Sequence, residues 1–166
     1  MSQPAGARAD YEWLRMAVEL SRQCQPSASA FSVGAVLIGA DGTLLSTGYS
    51  RELGPVDHAE EVALARLAGA ADAAGLAAAG QAAERLAAAT LYSSLEPCAV
   101  RASRPVPCAD LIIASGIGRV VIAWREPPLF VPGGGAVRLR QAGVAVEVLP
   151  ELAAAARQVN AHLLPG

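Results

Sequence analysis

At 166 residues the chain has the length of one domain with a normal core. Apolar residues make up 53% of it, but much of that share is alanine and only 4% is aromatic. A net charge of −2 argues against a general binder of phosphate backbones, which needs a basic face, and no apolar run is long enough to cross a bilayer.

Residues 1–9 read as a flexible lead, and residues 1–10 lack the apolar core of an export signal. Residues 11–24 place Trp13, Leu14, Ala17, Val18 and Leu20 at helical spacing, and Pro26 with its neighbouring serines ends that helix. Residues 33–38 are a β-branched apolar run, a buried strand. Asp41-Gly42 signals a turn, and residues 44–49 return as the second arm of an antiparallel hairpin. Asp57 can cap a helix over 58–67. The alanine-rich stretch 70–89 carries Asp72, Glu84 and Arg85 and reads as an inserted surface helix or helical hairpin.

Beyond it the pattern predicts a strand over 91–94, a helix over 108–115 ended by Gly116, and a strand over 120–123. A Gly-rich loop at 133–135, a helix over 136–141, a fifth strand over 144–148 and a closing helix over 151–163 complete the chain. Helical connections favour parallel neighbours. The expectation is therefore an α/β fold of three layers, α/β/α, around a mixed five-stranded sheet whose last strand is parallel to the fourth. Residues 1–166 read as a single domain with no internal repeat.

Three cysteines are an odd number for a disulfide framework, and without an export signal a reducing, cytoplasmic setting is expected. Cys24 reads as a buried small hydrophobe on the first helix, and His162 as a surface residue. The chemistry sits elsewhere. His58-Ala59-Glu60 lies upstream of Glu96-Pro97-Cys98, and Pro107-Cys108 follows after nine residues between the cysteines. One imidazole and two thiolates are three ligands for one Zn2+ per chain, leaving a fourth position for water. Zinc lowers the pKa of a bound water from 15.7 to about 7, which makes a nucleophile at neutral pH. Glu60 is not needed as a ligand and is the candidate general base and then acid. Taken singly, Glu60 reads equally as the far half of a capping box with Asp57.

His58-Ala59-Glu60, Ser94-Leu95-Glu96-Pro97-Cys98 and Pro107-Cys108-Ala109-Asp110 together resemble the cytidine deaminase superfamily. The nearest likeness is to the deaminase domain of the bifunctional riboflavin-biosynthesis deaminase/reductase. It extends to the run at 116–123 and to the Gly-rich loop followed by residues 136–144, and covers about residues 10–160. The resemblance implies a cytidine-deaminase-like fold and a homodimer or homotetramer. It also implies removal of an exocyclic amine from a small aminated heterocycle: a free pyrimidine-type base, nucleoside or nucleotide. His58, Cys98 and Cys108 would bind zinc, and Glu60 would shuttle the proton.

Three features depart from that pattern. Riboflavin enzymes carry a reductase domain after the deaminase, whereas this sequence ends at Gly166, so a standalone pathway enzyme is expected. Ser29-Ala30-Phe31-Ser32 stands where those enzymes have Pro-Asn-Pro, and Ser50 where they place a histidine. The segment 31–35 is instead similar to the start of the free-nucleoside deaminases, with Phe31 as a base-stacking wall or plain core. Phe31, Ser50 and Ala59 are thus candidate substrate contacts. Arg101 and Arg104, on a loop hung between two metal ligands, are candidates for a substrate phosphate or carboxylate. Other readings are an adenosine or cytosine deaminase acting on RNA, which the acidic balance disfavours, and a non-catalytic zinc-stabilised interaction module.

Overall fold

A computed structural model describes residues 5–74, 79–130 and 133–165. Helix α1 (Ala5–Ser21) leads into β1 (Gly34–Ile38) and β2 (Leu44–Tyr49). Helices α2 (Ala59–Ala74) and α3 (Ala79–Ala87) precede β3 (Thr90–Ser93). The chain then alternates through α4 (Cys108–Ser115), β4 (Arg119–Ile122), α5 (Gly135–Gln141), β5 (Ala145–Val148) and α6 (Ala153–Val159). The strand order is β2-β1-β3-β4-β5, with β1 antiparallel to both its neighbours and β3, β4 and β5 parallel.

Both faces of the sheet are covered because the strands alternate. Ala35, Leu37, Leu91, Val120 and Ile122 pack with Ala59, Ala63, Ala109, Ile112, Ala136 and Leu139 from α2, α4 and α5. Their neighbours Val36, Ile38, Tyr92 and Val121 pack with Leu14, Ala17 and Val18 of α1 and Ala156 of α6. This two-residue period is that of a strand apolar on both sides. Tyr92 also donates its hydroxyl to Asp10 at 2.6 Å. Arg119 grips the same carboxylate with two nitrogens, both at 2.8 Å, tying α1 to β3 and β4.

Several boundaries differ from the sequence reading for local reasons. The chain is helical from Ala5, so α1 begins six residues before the helix read from the sequence and takes in residues 5–9 of the expected lead. Helix α2 runs to Ala74 and not to 67, because alanine continues a helix at little cost. The insert at 70–89 thus begins in α2 and ends in and beyond α3; residues 75–78 of it lie outside the described residues. The closing helix is broken into a 3₁₀ turn (Pro150–Leu152), α6 and a second 3₁₀ turn (Ala161–Leu163). Cys24 is buried but lies past the end of α1, where its thiol donates to the Val33 carbonyl at 3.5 Å. His162 is exposed.

The topology brings together the carboxyl ends of β3 and β4, the start of β1, the end of β2 and the N-termini of α2 and α4. Such strand ends are where open α/β sheets place ligands. Gly135 is required there: a Cβ at this position would collide with the Pro97 carbonyl oxygen, so the approach of α5 to the Pro97-Cys98 segment excludes any side chain.

Candidate active site

His58 stands directly before α2, Cys98 in the loop after β3, and Cys108 at the first position of α4. Their ligand atoms lie within 4.8 Å of one another. His58 Nδ1 is 3.3 Å from Cys108 Sγ and 3.6 Å from Cys98 Sγ. The backbone N–H of Cys108 donates to Cys98 Sγ at 3.3 Å, so the amino end of α4 points at a sulfur. A helix N-terminus favours thiolate there. The Cys98 thiol is held down to about 4, first by the hydrogen bond from the Cys108 thiol and then by His58. Cys108, which supplies that proton and is buried, is raised. A cation seated between the three side chains would displace the remaining proton. The donor set, one half-buried imidazole and two buried sulfurs, fits zinc, and these residues are positioned to bind it.

Glu60 sits one helical step inside α2, and its side chain is buried beside the cluster. Burial raises its pKa, against an opposing pull from His58. Its Oε1 lies 3.0 Å from the Ser93 hydroxyl. Glu60 is therefore not the capping-box partner of Asp57. Glu61 instead reaches back to the helix start, its Oε2 accepting the His58 N–H at 3.3 Å. Asp57 is not a helix cap either: it accepts Arg104 Nη2 at 2.6 Å.

A cavity of about 310 Å³ opens beside these residues. His58, Glu60 and Cys98 form its floor, and Phe31, Val33, Leu95, Val100 and Phe130 supply apolar walls. Phe31 is 8% exposed and meets Trp124 and Phe130 edge-on, with ring centroids 5.6 and 5.2 Å away. Ser50 also lines the cavity, but its hydroxyl oxygen accepts the Val33 N–H at 3.1 Å. Ala59 is fully buried in the core beneath α2 and is not on the cavity wall.

The two candidate anion-binding arginines separate. Arg104 is off the wall and bridges Asp57 and Glu61. Arg101 lines the cavity with its side chain 1% exposed. It donates to Glu61 Oε2 at 2.9 Å, to the Ser103 hydroxyl and to the Val56 carbonyl, leaving Nη1 buried with no partner among the described residues.

Sequence reasoning missed Glu126, Phe130 and Arg51, all on the wall. Glu126 Oε2 is buried and has no hydrogen-bond partner among the described residues. Its pKa is pushed up to about 8, chiefly by burial and then by the charges of Cys98, Glu96 and Glu60. The rule that sites gather past the carboxyl ends of parallel strands points to this segment after β4 and could have found it. Glu96 anchors the same segment, accepting Arg125 Nε at 3.1 Å, Glu126 N at 3.0 Å and Ala136 N at 2.8 Å.

Comparison with known proteins agrees with this geometry. Residues 7–124 match the family model of the cytidine and deoxycytidylate deaminase zinc-binding region. Over 135 residues the chain is 36% identical to a diaminohydroxyphosphoribosylamino-pyrimidine deaminase of Schizosaccharomyces pombe, covering 81% of this chain and 31% of that one. A deaminase/reductase structure from Thermotoga maritima is similar with a TM-score of 0.74 at 27% identity, over 93% of this chain and 40% of that one. A C-terminally truncated Rib2 deaminase from Aspergillus oryzae matches with a TM-score of 0.73 at 27% identity, over 93% and 98% of the two chains. The chain spans about a third of the length of the curated relatives it matches. With the family model covering most of the sequence and the three metal-binding side chains converging in space, the chain belongs to the cytidine and deoxycytidylate deaminase zinc-binding family.

Proposed function

We propose that this chain is a hydrolytic deaminase that exchanges the exocyclic amine of a pyrimidine-type base, nucleoside or nucleotide for oxygen. The observation that carries the reading is Glu60: a buried carboxyl group on the cavity floor beside a three-donor metal cluster. A closed structural zinc site takes four protein ligands, and the cluster found among the described residues has three, which favours a catalytic over a purely structural role.

Zinc held by His58, Cys98 and Cys108 would supply the Lewis acidity that makes water nucleophilic near neutral pH. Glu60 accepts a proton from that water as its oxygen bonds to the amine-bearing ring carbon. It then delivers the proton to the adjacent ring nitrogen. A second proton passes from the added hydroxyl to the amine, the C–N bond breaks with its electron pair on nitrogen, and ammonia leaves as the ring carbonyl forms. One water is consumed and no redox partner is needed.

The walls match a flat heterocycle. Phe31 offers a face or edge to the ring, and Glu126 offers a polar edge contact where its Oε2 has no partner among the described residues. Arg101 Nη1 is the candidate donor to an anionic or carbonyl substituent, while Arg104 holds the loop. A diaminohydroxy-phosphoribosylamino-pyrimidine, the compound in the yeast relative's name, is one member of this substrate class, and cytosine and its nucleosides are another. A homodimer or homotetramer is the expected assembly. No helix among the described residues is long and apolar enough to cross a membrane.

The test is ammonia release from cytosine, cytidine, cytidylate, guanine, adenine and diaminopyrimidine ribotides, with zinc content measured on the same preparation. Turnover of a pyrimidine that requires Glu60 supports the reading. Full zinc loading with no turnover of any of them overturns it.

A further inference from the structure

Arg51 has φ of 62° and is the one non-glycine residue with positive φ among the described residues. L side chains rarely adopt this conformation, and a bulky residue found there marks a constraint imposed by its surroundings. The side chain shows what is constrained. Arg51 Nε and Nη2 donate to the Gln25 carbonyl at 3.2 and 2.7 Å, and Nη1 donates to the Phe31 carbonyl at 3.0 Å. Nη2 also donates to the Ser32 hydroxyl oxygen at 2.9 Å.

The segment 25–32 has no helix or strand of its own. Its backbone is held from outside: by Arg51 at Gln25 and Phe31, and by Asn160, which accepts the Ser32 N–H at 2.7 Å and donates to the Ser32 carbonyl at 3.0 Å. Between these anchors stands the Phe31 ring, on the cavity wall and braced by Trp124. Arg51 itself lies two residues past the end of β2, and its own N–H donates to the Asp57 carbonyl at 2.9 Å, one residue before His58. One guanidinium therefore fixes the aromatic wall relative to the strand and loop that lead into the metal cluster.

We propose that Arg51 is a positioning residue for substrate recognition: it sets the Phe31 ring against which the heterocycle is held, and does not itself contact an anionic group. The identity of the ligand rests on the deaminase reading; the tether does not.

The informative variant is Arg51→Gly, which removes the guanidinium and at the same time relieves the left-handed backbone, so that strain does not confuse the result. Expected are a KM raised about tenfold, the scale of one aromatic contact, with kcat within about threefold and zinc content unchanged. Amide hydrogen exchange over residues 25–32 should accelerate. Arg51→Lys, with one nitrogen where three donate, should fall between parent and glycine variant. Unchanged KM and unchanged exchange in Arg51→Gly would overturn the proposal. So would a fall in kcat that tracks zinc loss, because it would place the residue's effect at the metal. If the parent protein deaminates no heterocycle, the functional reading fails by itself, and exchange over 25–32 still decides for or against the tether.

Discussion

Ser93 Oγ lies 3.0 Å from Glu60 Oε1 and 2.7 Å from the Leu95 carbonyl oxygen. The hydroxyl has one proton for two acceptors. When Glu60 is ionised, Ser93 donates to it. When Glu60 carries a proton, Ser93 turns to Leu95 and its oxygen accepts from the carboxyl. Either protonation state thus keeps a partner in a buried place, which suits a group that must gain and lose a proton each turnover. Glu60→Gln should lose at least about a hundredfold in kcat while retaining zinc and thermal stability, as for removal of a general acid/base. Ser93→Ala should lose less, about three- to tenfold, because one hydrogen bond of about 1 kcal/mol is removed and the carboxyl remains. Steady-state ammonia release with zinc analysis checks both; a Gln variant with parental kcat would refute the assignment.

The metal cluster makes a stoichiometric prediction. Each chain should carry one zinc, and His58→Ala, Cys98→Ser or Cys108→Ser should each reduce that to well under half. Because Cys98 and Cys108 share a proton in the absence of a cation, zinc uptake should release protons, measurable with an indicator dye in weak buffer. A ligand bound only by the folded state adds about 4 kcal/mol of stability at a thousand times its Kd. Chelation should therefore lower Tm by several degrees, reversibly on zinc readdition. A Tm indifferent to chelator with zinc demonstrably removed would count against a site built from three converging elements.

How much of this was legible beforehand depended on whether the deciding interaction was local. Helix α4 spans 108–115 as read, because Pro107 and Gly116 punctuate it and Gly116 takes φ of 80° at the C-cap. The hairpin and the parallel β4–β5 pair followed from turn chemistry and from an intervening helix. The metal-binding trio was readable because ligand type is written in single residues. What escaped was long-range. Asn160 interrupts the closing helix to bind Ser32, 128 positions away, and no local pattern announces it. The acidic partners of Arg101 and Arg104 are 40 or more residues distant, so charge alone suggested free cations where the fold supplies Glu61 and Asp57.

That pairing predicts unequal effects for the two arginines. Arg104 is 41% exposed on its side chain, and an exposed ion pair contributes about 0–1 kcal/mol. Arg104→Ala should leave KM within about threefold and stability nearly unchanged. Arg101 is enclosed, and its removal strips a partner from Glu61, which keeps Arg104 and the His58 N–H. The loss should be about 2 kcal/mol, below the ~3–5 kcal/mol of breaking a fully buried pair. Chemical denaturation of both variants distinguishes them. If Arg101 Nη1 also reaches substrate, Arg101→Ala raises KM more for anionic pyrimidines than for neutral ones, and an equal rise for both would remove that role.

Glu126 yields a pH dependence whose sign follows from its environment. Burial comes first in raising its pKa to about 8, followed by the charges of Cys98, Glu96 and Glu60. A cation held at Cys98 would offset part of the charge contribution and leave the burial, so the zinc-loaded value should lie at or below about 8. An acid whose folded pKa exceeds its unfolded value near 4.5 contributes stability that is whole below about 4.5 and is lost as pH rises through the folded value. On the cavity wall the same titration changes recognition. The neutral acid can donate a hydrogen bond to the heterocycle, whereas the carboxylate can only accept. KM should therefore be flat while the acid is neutral, rise as pH passes through the Glu126 pKa and level off only once the carboxylate predominates, while Glu126→Gln, which keeps a donor at every pH, should flatten the curve. KM measured from pH 6 to 9.5 on both proteins tests this. If the parent and the glutamine variant show the same pH slope, Glu126 is not the group that titrates at the substrate's edge.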